Sequence, residues 1–171
     1  SAFEQGNGAA LELGGPLDSK GMLEYRTFVA GGSGRSSGNI GGRFYADANT
    51  NYTWAAGAQI HVNAIGYYSR FDSPFLYEPA PTTLAFTLGA KYDQRAQERY
   101  PAANASTIFK YGPLVVMGEF YGKRELEFES TQFAYNAQVG FLLWPKHLML
   151  AADYGAYIAG DLENPPQDLS S

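Results

Sequence analysis

Seven residues of this chain carry charge where it could act on a passing ion: Arg26, Arg43, Lys91, Lys110, Glu119, Lys123 and Asp153. Each lies in a short segment where polar side chains alternate with apolar ones. A strand of that period puts all its polar residues on one face. Charges of both signs on one water-filled wall set a transverse field that sorts ions. Arg26, Arg43, Lys91 and Lys110 fall mid-strand and are the first candidates for anion contact. Glu12, Glu24, Tyr45, Asp47, Gln59, His61, Asn63, Asp93, Tyr121, Asn136 and Gln138 share the same inward parity. The plainer reading is that these side chains pair with one another and keep a rigid wall hydrated.

Other chemistries find little support. His61 and His147 are the only histidines, in unrelated segments, and cysteine is absent. A metal site needs several convergent ligands, so none is expected. No nucleophile motif such as Gly-x-Ser-x-Gly is present. Gly31-Gly32-Ser33-Gly34-Arg35-Ser36-Ser37-Gly38 is glycine-rich but lacks the spacing and the Lys-Ser/Thr ending of a phosphate loop. The chain therefore reads as a non-enzyme without a cofactor. A net charge of −5 argues against nucleic acid as a partner.

The elements that must position these residues are strands. In 133–143, Phe133, Tyr135, Ala137, Val139, Phe141 and Leu143 fall on one face, with Ala134, Asn136, Gln138 and Gly140 on the other. In 83–93, Leu84, Phe86, Leu88, Ala90 and Tyr92 oppose Thr83, Thr87, Lys91 and Asp93. The period predicts about nine strands, at 8–13, 22–30, 43–48, 54–68, 83–93, 106–111, 114–123, 133–143 and 147–158. Tight turns are predicted at 14–18, 111–114 and 144–146, where Gly and Pro allow rapid reversal. Longer connections are predicted at 31–40, 69–82, 94–105 and 124–132. The 94–105 connection breaks the alternation of short turns and long loops, so a turn is hidden there or the boundaries shift. The segment Ser73-Pro74-Phe75-Leu76-Tyr77-Glu78-Pro79-Ala80-Pro81 is apolar for a loop. It is a candidate to fold inward as a constriction, or to touch a neighbouring subunit or another protein.

Composition narrows the class. Hydrophobic residues make up 45% of the 171 and charged residues 17%, against a usual charged share of roughly 25%. No window approaches the ~18 consecutive apolar residues of a membrane helix. Mean hydropathy is only −0.27, which a β-barrel accommodates because every second residue meets lipid. Tyr67, Tyr68, Phe71, Phe75, Tyr77, Tyr92, Tyr100, Tyr111, Phe120, Trp144 and Tyr154 fall near predicted strand ends, as a girdle at headgroup level would. His147, after a turn, falls at the same level. An odd number of strands would leave exposed edges that lipid does not tolerate. The expectation is one segment, residues 1–171, of a larger antiparallel transmembrane barrel of roughly 16–18 strands.

Several stretches resemble the phosphate-selective porin O and P family. They are Gly8-Ala9-Ala10-Leu11-Glu12-Leu13, Leu23-Glu24-Tyr25-Arg26, Ala30-Gly31-Gly32-Ser33-Gly34 and Gly42-Arg43-Phe44-Tyr45. Then come Phe109-Lys110-Tyr111-Gly112-Pro113-Leu114 running into Gly118-Glu119-Phe120-Tyr121, and Ala137-Gln138-Val139-Gly140-Phe141-Leu142-Leu143-Trp144-Pro145-Lys146. The two hairpins, in that order, carry most of the resemblance, which covers the chain in patches. It implies an internal part of a porin about twice this length. It further implies a homotrimer in the bacterial outer membrane, in contact with lipid and lipopolysaccharide, passing small ions or polar solutes. The acidic balance and Asp153, where the family pattern calls for a basic residue, depart from phosphate preference. A non-conducting barrel serving as an envelope scaffold and a soluble ligand-binding β-barrel are the alternatives.

Overall fold

The computed structural model describes residues 10–31, 39–40, 43–44, 54–69, 72–94, 99–126 and 129–159. They form ten strands: β1 (Ala10–Pro16), β2 (Leu23–Gly31), β3 (Asn39–Ile40), β4 (Arg43–Phe44), β5 (Trp54–Ile65), β6 (Ala80–Gln94), β7 (Arg99–Gly112), β8 (Leu114–Arg124), β9 (Thr131–Trp144) and β10 (Leu148–Ala159). Eight join in one antiparallel sheet, ordered β1-β2-β5-β6-β7-β8-β9-β10, while β3 and β4 pair as a separate ribbon. The sheet is a meander whose two edges, β1 and β10, do not pair with each other. No helix occurs among the described residues.

Turn chemistry explains the reversals. At β7–β8 only Pro113 separates the strands, and Gly112 takes φ 54°, a conformation costly for residues with a Cβ. At β9–β10, Lys146 takes φ 66° and the His147 amide donates to the Trp144 carbonyl at 3.0 Å. A register shift follows between Leu148 and Met149, as in three-residue hairpins closed by a bulge. The first turn lies later than its Gly-Gly-Pro sequence predicts. Pro16 still pairs with Glu24, and the chain reverses over 17–22. An edge strand tolerates that proline because no neighbour needs its missing N–H.

Two other boundaries differ from the sequence reading. The predicted loop at 94–105 is mostly strand: β7 begins at Arg99 and pairs with β6 from Gln94↔Arg99 onward. Pro101 hid it, yet the β8 ladder begins only at Ala102↔Lys123, just past the proline. Conversely, of the predicted strand 43–48 the described residues 43–44 stand outside the eight-stranded sheet. Arg43 lies in the short β4, and 45–48, with Tyr45 and Asp47, fall outside the described residues. The long connection 66–79 also leaves from the same rim as the tight turns at 113 and 145–147, so short turns and long loops do not segregate cleanly.

The two faces differ in kind. Register places Tyr25, Ile60, Leu88, Ala105, Phe120 and Tyr135 in one row across six strands, on the outward face. Throughout the eight-stranded sheet this face carries charge only at Arg99 and Arg124, both at strand ends. Its large side chains, among them Leu88, Phe120, Val139 and Leu150, are exposed. The other face is polar and more buried. Strands β1 and β8, five steps apart, would stand about 24 Å apart in a flat sheet at about 4.8 Å per step. Instead Glu12 of β1 and Tyr121 of β8 line one cavity. The sheet therefore curls with its polar face on the concave side, the reverse of a soluble sandwich.

Candidate functional site

The concave face is the candidate site. Its rows can be read straight from the register. Glu24, His61, Thr87, Ser106, Glu119 and Asn136 stand side by side across β2, β5, β6, β7, β8 and β9. Strand alternation forces this, since directly opposed residues share a face. His61 is buried and fixed at both ring nitrogens. The Tyr68 carbonyl, 2.9 Å from Nε2, can only accept, so Nε2 carries the proton, and Nδ1 accepts the Thr87 hydroxyl at 2.9 Å. Histidine here is a structural crosslink between β5, β6 and the loop after β5.

Of the seven charged residues singled out from sequence, the structure places six on this face. Arg26 pairs with Glu12 across β1 and β2. Lys91 lies 3.6 Å from Asp93, and Lys123 is buried. Glu119 stands between Ser106 and Asn136, and Asp153 is opposite Gln138. Lys110 sits apart, near the tight-turn rim. Arg43 alone is outside the sheet, in β4. The charges thus do not converge on one point but spread along a wall.

Near the opposite rim they do gather, around a residue that the sequence reading assigned elsewhere. Tyr100 opposes Asp93 in register and is 2% exposed, so it faces inward and is no part of an outer girdle. Its hydroxyl donates to Asp93 Oδ2 at 3.0 Å and receives Lys91 Nζ at 3.5 Å. The Lys91 and Lys123 ammonium groups lie 5.3 and 4.8 Å from its ring centre. One aromatic ring thus receives two ammonium groups, and the Asp93 carboxylate also pairs with that of Lys91. Fully buried Glu125 adjoins the cluster and accepts the Arg99 amide at 2.9 Å. It continues the inward parity two residues past Lys123, the signal by which it could have been found. Among the other presumed girdle residues, Tyr68 also lies on the concave side, while Phe120 and Tyr154 are outward but mid-strand. Tyr77, Tyr111 and Trp144 do lie exposed near one rim, with His147 4.6 Å from the Trp144 ring. Trp54 meets Tyr92 near the other, at 5.3 Å. Phe71 lies outside the described residues.

The apolar loop turns inward. Leu76 is buried with Ala85, Ile108, Val115 and Leu142 of the concave face, against Met117 and Met149. Its amide lies 3.3 Å from the Met149 sulfur. Lys110 donates to the Ser73 carbonyl at 3.1 Å and stands 4.8 Å from the Tyr68 ring centre. The Lys146 amide donates to the Tyr77 carbonyl at 2.8 Å. Burial and the nearby Asp72 carboxylate push the Tyr68 phenol above its usual range. For exposed Tyr67 the Glu24 carboxylate is the first cause of a rise in the same direction. This loop narrows the concave face at the tight-turn rim.

Compared with known protein families, curated proteins and solved structures, the chain matches none.

Proposed function

We propose that this sheet is a sector of the wall of a transmembrane β-barrel in the bacterial outer membrane, a porin through which small polar solutes or ions diffuse passively. The observation that carries the reading is the inversion of faces. Across eight strands an apolar surface looks outward with charge only at the strand ends, while the concave side is lined by Glu, Lys, Arg, Asn and Gln. Water would oppose so large an exposed apolar face, and lipid would favour it. Further strands complete the barrel, and the resemblance to phosphate-selective porins adds a trimer contacting lipid and lipopolysaccharide. Conductance in planar bilayers tests the function: stepwise, ohmic currents support it, and a purified protein that inserts but never conducts overturns it.

One observation favours a second reading, a membrane barrel that serves as a scaffold without conducting. The described part of the connection after β5, through Tyr68, Ser73 and Leu76, packs against the concave face instead of standing clear of it. A conducting pore requires that this loop leave an open path beside it.

A further inference from the structure

Midway along the concave face lies a cavity of about 390 Å³, within the usual range for small-molecule sites of roughly 300–1,000 Å³. Its walls are built from Glu12 and Arg26 on one side, Gln59 and Asn104 on the floor, Tyr121 opposite, and Phe28. The Phe28 ring is an odd occupant of a polar face. Its place depends on Gly57, where an added Cβ would stand 2.7 Å from Phe28 Cε1 and 2.8 Å from the Ala90 carbonyl oxygen. The ring thus lies over a glycine and presents an aromatic surface to the cavity.

The charges that line the cavity are already compensated. Glu12 pairs with Arg26, and Lys91 with Asp93. Among the described residues, the side-chain amides of Gln59 and Asn104 make no hydrogen bond, and neither does buried Arg26 Nε. An amide both donates and accepts. A simple anion would use only its donors and a simple cation only its acceptors. A hydroxyl group uses both, and the faintly positive C–H face of a sugar ring suits the negative face of an aromatic ring.

We infer that this cavity is a binding subsite for a neutral, hydroxyl-rich solute of monosaccharide size. Gln59 and Asn104 hold its hydroxyls, the Glu12–Arg26 pair adds a donor and an acceptor, and Phe28 stacks on its ring. The inference rests on the concave face being solvated as the porin reading requires, but binding is measurable without any current.

The test is equilibrium binding of D-glucose to the detergent-solubilised protein, with phosphate and glycine as charged and zwitterionic comparison probes. The expected result is saturable glucose binding that outcompetes both, weakened about tenfold or more in Gln59→Leu and in Asn104→Leu, and likewise in Phe28→Leu. The Gln59 and Asn104 side chains support no hydrogen bond among the described residues, so their variants should keep wild-type β circular dichroism. Absence of saturable glucose binding, binding at the wild-type level in both amide variants, or preference for phosphate overturns the subsite. Conductance without glucose binding removes the subsite and leaves the pore. Glucose binding without conductance leaves the subsite and removes the pore.

Discussion

Lys110 of β7 donates a hydrogen bond to the Ser73 carbonyl at 3.1 Å and stands over the Tyr68 ring at 4.8 Å, so one wall lysine holds both arms of the in-folded loop. Its ammonium is committed to the loop before any ion arrives. Lys110→Met keeps the stem and removes the charge and the donor. We expect the loop over 66–79 to become susceptible to limited proteolysis and the open-state conductance to rise. Unchanged cleavage would show that the apolar contacts of Leu76 suffice alone.

Leu76 is the apolar half of the same latch. Leu76→Ala empties a buried site between Ile108, Val115 and Leu142, which typically costs about 2–5 kcal/mol. The loop's docking, rather than the sheet, should bear that cost. The same cleavage assay should therefore report a larger effect than Lys110→Met, with the temperature at which the sheet unfolds in detergent little changed.

The latch should also loosen in strong alkali. Burial and Asp72 raise the Tyr68 phenol above its ordinary value of about 10. The docked loop thus favours the neutral phenol. That contribution is complete below pH ~10 and is lost as pH rises through the raised value. Loop cleavage should increase in that window, and Tyr68→Phe should reduce the pH dependence to the part that loss of the Lys110 charge contributes.

Opposite faces should answer opposite questions about charge. Leu88→Lys puts an ammonium in the middle of the apolar face, at a cost of roughly 2–4 kcal/mol if that face meets the bilayer midplane. Asn136→Lys puts it on the concave face and should be tolerated. Comparable insertion of both variants into liposomes would contradict the assignment of faces.

The sheet's concave face carries Glu12, Glu24, Asp93, Glu119, Glu125 and Asp153 against Arg26, Lys91, Lys110 and Lys123. Carboxylates outnumber cations, so this sector should not act as a strict anion filter. Weak selectivity is expected, fading as the screening length shortens to ~3 Å at 1 M salt. Reversal potentials across a salt gradient measure it. A strongly anion-selective value lost in Lys110→Ala would contradict the prediction.

Face assignment was legible in the sequence because strand parity is rigid: from Glu12 to Asp153, described residues given an inward position on the eight strands take it. Boundaries were less legible. The stretch Ala102-Ala103-Asn104-Ala105 has weak strand propensity and follows a proline, so only its pairing with β6 and β8 makes it strand. Parity also could not separate an inward tyrosine from a girdle tyrosine. Tyr100 was misassigned by its nearness to a strand end, whereas its position opposite Asp93 decides its face. The inward fold of 66–79 was readable only as apolarity, because what Leu76 packs against is scattered over β6 to β9.

The chain contains no cysteine, so single cysteines can be placed along β9 and read one at a time in a conducting bilayer. At Asn136 and Gln138 a charged, water-soluble thiol reagent should step the current down. At Tyr135 and Val139 it should leave the current unchanged, while a fluorophore there is quenched by a lipid-dissolved quencher. That alternation is what an apolar outer face and an aqueous inner face require. Current indifferent to modification at 136 and 138, or labels at 135 and 139 reached from water, would contradict the membrane-pore account.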